Sequence, residues 1–309
     1  MKKSMVVLIW IGMLILTGCQ GVIPPTGGDL KVLVVETFLA DITQNIAGDR
    51  VHVEALVPIG LDPHAFEPAP QDVAKISSCQ VLVVNGAGFE SWLEPVLSNA
   101  GGQHLVIEAS AGLKSRTARE GEVIEDPAGE VHDAGDPHFW LDPINTIQYV
   151  NNIRDGLSQA DPAGAETYAR NAAAYIVKLK DLDGWIRAEV EQIPPERRLM
   201  VTNHESLGYF ADRYGFKIAG TVLPSISTAA SPSAQELARL VDQIRLEGVK
   251  AIFLETGSNP KLAHQVAQET GVKVITDLHT HSVTAPGGKA PTYIDMLKLD
   301  VKIIVAALK

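Results

Sequence analysis

The chain has 309 residues, 46% of them hydrophobic, and its 37 acidic and 26 basic residues give a net charge of −11. An acidic protein repels nucleic acid and attracts cations, so the charge argues against nucleic-acid binding and favours a cationic ligand. With Cys19 and Cys79 as the two cysteines, a disulfide-stapled fold is excluded, and the length predicts two domains with sizeable hydrophobic cores.

The N-terminus has the pattern of a secretory signal peptide. Lys2 and Lys3 precede an apolar run over residues 5–16, and small residues lead directly to Cys19. The run is shorter than the roughly 20 residues of a membrane span. Residues 1–18 are therefore predicted to be a lipoprotein signal peptide, with Cys19 lipidated as in the bacterial lipobox; a plain cleaved signal with an incidental cysteine is the alternative. Residues 19–30 are predicted to be a flexible tether.

Strands and helices alternate in the segment that follows the tether. Short apolar runs rich in valine and leucine predict buried strands, and the segments between them predict helices. This alternation is typical of an α/β fold with a parallel sheet. The predicted strands are 31–35, 51–57, 81–84 and 104–107, and the predicted helices are 41–47, 70–77 and 92–97.

The same order of elements returns after residue 197, which predicts a second copy of the unit. We therefore expect two pseudo-repeated lobes, an N-terminal one over 31–160 and a C-terminal one over 196–309, each a parallel sheet with flanking helices. In the second copy the predicted strands are 199–202, 217–222, 251–254 and 272–275, and the predicted helices are 207–214, 233–247 and 260–270.

One long helix is predicted between the two copies, over residues 161–195. Asp161-Pro162 is a favourable helix start, apolar residues then recur every three or four positions, and Pro194-Pro195 ends the pattern. A helical connector resists bending, so we expect limited closure of the lobes. The segment 115–136 is rich in acids and poor in apolar residues, and it is predicted to be a mobile acidic loop.

Four polar residues are predicted to meet at the carboxyl ends of the strands, where open parallel sheets bind ligands. His64 and His138 each follow Asp-Pro, whose proline stiffens the loop before the imidazole. His204 follows the first strand of the second copy, and Asp277 follows its predicted last strand. Three imidazoles and one carboxylate suit four-coordinate zinc. His279 and His281 are alternative or transient ligands.

The chain resembles the cluster A-I solute-binding lipoproteins of zinc and manganese ABC importers, the zinc-uptake component A-like family, over essentially its whole mature length. The resemblance implies that the metal ligands are His64, His138, His204 and Asp277, and that two α/β lobes are joined by one long helix. It also implies an ABC permease and its ATPase as partners. The matching stretches are Asp62–His64 with Glu67 and Pro68, 85–92, 136–143, His204 with 208–210 and 214–215, and Asp277.

Some features of the sequence favour zinc as the metal, and others favour manganese. Many zinc-selective relatives carry a histidine-rich loop between the first two ligands, whereas the loop here has only His132. Manganese-selective relatives often have glutamate at the position of His204, and manganese prefers oxygen ligands, so the third imidazole favours zinc. Zinc is the prediction and manganese the alternative.

The predicted function is capture of a divalent transition metal outside the cytoplasmic membrane and delivery to an ABC importer. We expect a monomer that is held on a bacterial membrane by lipid on Cys19 and is not an enzyme. Four protein ligands would close the shell of a zinc ion, whereas a catalytic zinc keeps one position open. Displacement of the second-lobe loops that bear His204 and Asp277 is expected to release the ion. The alternatives are a secreted zinc-dependent hydrolase and a surface adhesin with a structural metal.

Overall fold

The computed structural model describes residues 30–116, 135–228 and 231–309. Cys19, with the predicted signal and tether up to residue 29, lies outside the described residues, as does most of the predicted acidic loop. No helix within the described ranges is long and apolar enough to cross a membrane.

The first sheet contains four parallel strands in the order β2-β1-β3-β4. Every residue of β1 and β3 is buried, because these central strands are covered by helices on both faces. Three helices connect the strands. The strands are β1 (Val32–Val34), β2 (Val53–Ala55), β3 (Val81–Val84) and β4 (Leu105–Glu108), and the helices are α1 (Thr37–Ala47), α2 (Pro70–Ser78) and α3 (Leu93–Ala100).

The second sheet repeats this topology, with four parallel strands in the order β6-β5-β7-β8. Helix α7 starts with a capping box between Ser233 and Glu236, and Gly248 ends it in the left-handed conformation. The strands are β5 (Leu199–Thr202), β6 (Lys217–Thr221), β7 (Ala251–Glu255) and β8 (Lys273–Leu278), and the helices are α6 (Gly208–Tyr214), α7 (Ala234–Glu247) and α8 (Lys261–Thr270). The prediction of two repeated α/β lobes is confirmed.

The lobes are joined by helix α5 (Ala165–Val190), whose 26 residues span about 39 Å. Its buried face recurs at helical spacing, as the sequence predicts, and packs against α1, α4 and α9. Asp161 does not cap this helix. Its carboxylate pairs with Arg50 of the first lobe and accepts a hydrogen bond of 2.6 Å from the Tyr168 hydroxyl.

Two further helices, α4 (Thr146–Ala160) and α9 (Tyr293–Leu308), are absent from the sequence-based expectations. Both flank α5, and their buried residues join the core shared by the first lobe, the connecting helix and part of the second lobe. Helix α9 follows the second lobe in sequence, yet it packs against α1 of the first lobe. The C-terminal segment therefore ties the two lobes together.

Candidate metal centre

His64 lies just beyond β2, in a short turn of 3-10 helix over Pro63–Ala65. Proline is favoured at the first position of such a turn, and the Asp62 carboxylate caps it by accepting a hydrogen bond of 3.0 Å from the His64 backbone N–H. The ring packs edge-on against Phe89, with centroids 4.6 Å apart. The capped turn thus fixes the backbone of His64, and Phe89 limits the orientation of its ring.

His138 is fully buried, and Asp136 orients it twice. One carboxylate oxygen of Asp136 accepts the His138 backbone N–H at 3.0 Å and lies 2.9 Å from the ring Nδ1. This arrangement assigns the proton to Nδ1 and leaves the Nε2 lone pair for a cation. Trp140 stands beside the ring at a centroid distance of 5.2 Å, and Phe89 packs against it edge-on at 5.6 Å, so an apolar wall borders the imidazole.

His204 reaches the site from the loop after β5, and it too is fully buried. The Thr202 hydroxyl donates to the His204 carbonyl at 2.8 Å, which holds the turn. The ring Nδ1 lies 3.2 Å from Glu255 Oε1, at ion-pair distance but without the alignment of a hydrogen bond. Glu255 is the last residue of β7, so it occupies the same sheet edge as His204.

The structure brings together His64, His138 and His204 but does not bring Asp277 to them. Strand β8 continues to Leu278, so Asp277 lies inside the strand with its side chain exposed, and not in the loop beyond the predicted end at 275. The loop begins later, and it places the buried His281 next to the three other rings. Pairing of Leu278 with Glu255 of β7 is what lengthens the strand.

The four imidazoles face one another closely enough to share one ion. The Nε2 atom of His138 lies 3.2 Å from Nε2 of His64 and 3.4 Å from Nε2 of His204. Tetrahedral zinc with bonds of about 2.0–2.1 Å separates its ligand nitrogens by about 3.3–3.4 Å. The potential ligand atoms of these three histidines and His281 all lie within 4.8 Å of one another. The spacing therefore fits a small divalent cation.

His281 has one nitrogen free for such a cation. Its Nδ1 lies 2.9 Å from the Thr280 hydroxyl, and its Nε2 is buried without a hydrogen-bond partner. A buried polar atom without a partner is unfavourable, and a metal ion at the centre of the cluster would satisfy it. The ring also stacks on His204, with centroids 5.3 Å apart and planes inclined by 17°.

Burial keeps three of the four imidazoles neutral. It lowers the pKa of His64 and His138 well below the usual value, and the charge of a protonated His204 adds to the effect on both. The same two causes lower the pKa of His281 to about 4. Neutral imidazole is the form that binds metal, so these rings are ready for an ion at neutral pH.

His204 differs from the others because carboxylates surround it. Burial on its own lowers its pKa, but attraction to Glu255, with smaller contributions from Asp62 and Glu205, more than offsets burial and leaves the pKa raised. For the Glu255 carboxyl, burial on its own raises the pKa. The positive charge on His204 outweighs this effect and lowers the pKa of Glu255 to about 2. The negative charge that stabilises a bound cation thus stands behind the imidazoles, outside the ligand set.

The carboxylates that support the imidazoles are not among the ligands that the sequence predicts. Asp136 supports His138 from the same Asp-Pro-His motif, and burial raises the pKa of Asp136 to about 7. Glu205, which follows His204 in sequence, accepts a hydrogen bond of 3.3 Å from the Thr221 hydroxyl. The contact to His204 Nδ1 is made by Glu255, which ends a strand at the same sheet edge and so satisfies the rule that selects His204.

Comparison with known proteins assigns the chain to a family. Residues 32–307 match the sequence profile of the zinc-uptake complex component A family, described as periplasmic. The chain belongs to the zinc-uptake complex component A family. The match covers both sheets, the connecting helix and all four histidines of the cluster.

Proteins similar to this chain are named for different metals. The chain is 34% identical over 304 residues to the manganese-binding lipoprotein MntA of Halalkalibacterium halodurans, covering 97% of each chain. It is 34% identical over 279 residues to the iron-binding protein YfeA of Yersinia pestis, covering 90% of this chain and 86% of that one. The solved periplasmic zinc-binding protein TroA from Treponema pallidum superimposes with a TM-score of 0.80 at 27% identity, over 91% of this chain and 99% of the other.

Proposed function

We propose that this protein captures a zinc ion with His64, His138, His204 and His281 and carries it to an importer. The observation behind this proposal is the convergence of four imidazoles within 4.8 Å. Imidazole nitrogen suits zinc, whereas manganese prefers several oxygen ligands, and no carboxylate oxygen of the described residues belongs to this cluster. Asp277 is replaced by His281 in the proposed ligand set.

Storage of an ion, and not catalysis, is the proposed role of the site. A catalytic zinc normally has three protein ligands and one position for water or substrate, whereas four protein ligands close the shell. Phe89 and Trp140 pack against the imidazoles, and this apolar wall disfavours water at the ion. The arrangement supports a binding protein over a secreted hydrolase.

Delivery is proposed to proceed through an ABC permease and its ATPase, with the protein a monomer outside the cytoplasmic membrane. Support comes from the relatives, because MntA is named a lipoprotein and relatives in Streptococcus are named metal ABC transporter substrate-binding lipoproteins. Lipid on Cys19 is the proposed anchor. Labelling cells with a radioactive fatty acid should mark the full-length chain and not Cys19→Ser, and an unlabelled wild-type chain would overturn the anchor.

The binding proposal is tested with the full-length chain and two matched variants. Purified protein is depleted of metal, and zinc and manganese are then titrated separately and in competition. We expect one tightly bound zinc per chain and its loss in His138→Ala. His264→Ala is the control, because His264 is exposed on α8. Manganese that displaces zinc would favour the manganese alternative, and equal binding by wild type and His138→Ala would contradict the site.

A further inference from the structure

His64 is the ligand at the mouth of the proposed site, because it is partly exposed while the other three imidazoles are buried. A hydrogen bond between the lobes crosses this mouth. Asp62, two residues before His64, accepts a hydrogen bond of 2.6 Å from the hydroxyl of Thr228 in the second lobe. The other oxygen of the same carboxylate accepts the His64 backbone N–H at 3.0 Å. Asp62 therefore contacts a ligand loop on one side and the opposite lobe on the other.

The contact continues through the second lobe to His204. Thr228 belongs to the loop after β6, where the Ser227 backbone N–H donates to the Ser225 hydroxyl at 3.0 Å. The Ser225 carbonyl in turn accepts the Glu205 backbone N–H at 3.0 Å. Glu205 directly follows His204 in sequence. A continuous path of hydrogen bonds and short backbone links thus joins the loop of His64 to the loop of His204.

The loop that carries His281 is attached differently. The Trp140 indole N–H donates to the Thr280 carbonyl at 2.7 Å, and the Gly60 backbone N–H donates to the Ser282 hydroxyl at 2.9 Å. Trp140 and Gly60 both belong to the first lobe. His281 is therefore held to the same body as His64 and His138, although the second lobe precedes it in sequence.

We propose that the Asp62–Thr228 hydrogen bond is a clasp that keeps the second lobe closed over the bound ion. This inference rests on the proposed zinc site. While the clasp is intact, the His204 loop stays near the three other imidazoles and the ion is retained. When it opens, the loop of residues 223–228 and His204 move away together, which opens the shell beside the exposed edge of His64. The expected displacement is thus confined to the loop of residues 223–228 and the loop of His204, and the His281 loop stays in place.

Thr228→Val tests the clasp with little change in shape, because valine replaces the hydroxyl by a methyl group. A hydrogen bond to a charged group has a net effect that corresponds to about a tenfold change in rate. We expect zinc to leave the Thr228→Val full-length chain about tenfold faster than the wild type. The measurement follows transfer of zinc to a chromogenic chelator in a stopped-flow instrument. Thr228→Ser keeps the hydroxyl and should restore the slow rate.

Thr270→Val is the matched control. Thr270 also lies in the second lobe with a bonded hydroxyl, which donates to the Val266 carbonyl within α8, but it precedes β8 and so lies at the far end of the sheet. Its zinc release should equal that of the wild type. In an Asp62→Ala background, Thr228→Val should add no further acceleration, because one interaction cannot be removed twice.

The outcomes separate the clasp from the zinc site itself. A wild-type chain that binds no zinc overturns the proposed function. Normal zinc binding with equal release rates in wild type and Thr228→Val overturns the clasp and leaves the site intact. Faster release that Thr228→Ser does not restore, or that comes with a lower melting temperature of the metal-free protein, also overturns the clasp in favour of a general structural role.

Discussion

Glu255 Oε1 lies 3.2 Å from Nδ1 of His204, the ring nitrogen that faces away from the cluster. The carboxylate is buried, and the pKa of about 2 that follows from its contact with His204 keeps it ionised across the physiological range. An ionised carboxylate behind an imidazole makes the opposite nitrogen more basic and compensates part of the charge of a bound ion. Four neutral ligands would otherwise leave that charge uncompensated in a buried site.

Glu255→Gln should therefore weaken zinc binding by about 10- to 100-fold, the usual effect of losing such a support. The affinity is measured by competition with a chelator of known strength. Glu247→Gln is the matched control, because Glu247 pairs with Lys217 at the surface at 2.7 Å and should leave zinc affinity unchanged. Unaltered affinity in Glu255→Gln would show that the carboxylate does not support the ligand.

His281→Ala and Asp277→Ala should separate the two candidates for the fourth ligand. Loss of His281 leaves the ion with three imidazoles, so we expect a fall in zinc affinity of at least 100-fold, equivalent to about 2.8 kcal/mol. Asp277 is exposed in β8, and its replacement should change the affinity by less than threefold. Isothermal titration of both variants checks this. The reverse ranking would restore Asp277 as the ligand and require the loop after β8 to rearrange on binding.

Zinc affinity should fall as the pH drops from about 7.5 to 5.5, and by about tenfold per pH unit once the pH is below the pKa of His204. The pKa of His204 is raised above its usual value, so its proton begins to compete with zinc above pH 6.5. The pKa values of His64, His138 and His281 are lowered, that of His281 to about 4, so these rings stay neutral over most of this range. One proton per ion is therefore displaced. A much steeper dependence would mean that several imidazoles titrate together.

Glu255→Gln should shift this pH dependence as well as the affinity. Without the carboxylate the main cause that raises the pKa of His204 is gone, so its pKa should fall. The onset of weakening should accordingly move to lower pH. If zinc affinity begins to fall at the same pH in Glu255→Gln as in the wild type, the titrating proton belongs to another group.

Removal of the metal should leave the protein folded. The hydrophobic core of the first lobe and connecting helix, and the separate cluster on the second sheet, are buried without any contribution from an ion. Circular dichroism should therefore be the same with and without chelator, in contrast to proteins whose fold depends on zinc. Free zinc at 100 times the Kd should then add about 2.7 kcal/mol to the free energy of unfolding. Unfolding by chelator would instead indicate a structural metal.

Most of the architecture follows from local patterns in the sequence. Apolar runs such as Val81–Val84 are short, continuous and bounded by polar residues, which leaves a buried parallel strand as the consistent interpretation. His64 and His138 are recognisable because Asp-Pro precedes each of them, and His204 because it follows a strand. In each case the signal lies within a few residues of the side chain, so it can be read without knowing what packs against it.

The fourth histidine and its surroundings were decided by tertiary structure. Where β8 ends depends on its pairing with β7, so the sequence alone favours Asp277, while the folded chain continues the strand to Leu278 and places His281 in the cluster. Nothing in the local sequence distinguishes Glu255 from other acidic residues, and only the folded sheet places it behind His204. Such contacts join residues more than 50 positions apart or belong to neighbouring strands, and only the packing of both lobes determines which side chains share a buried space.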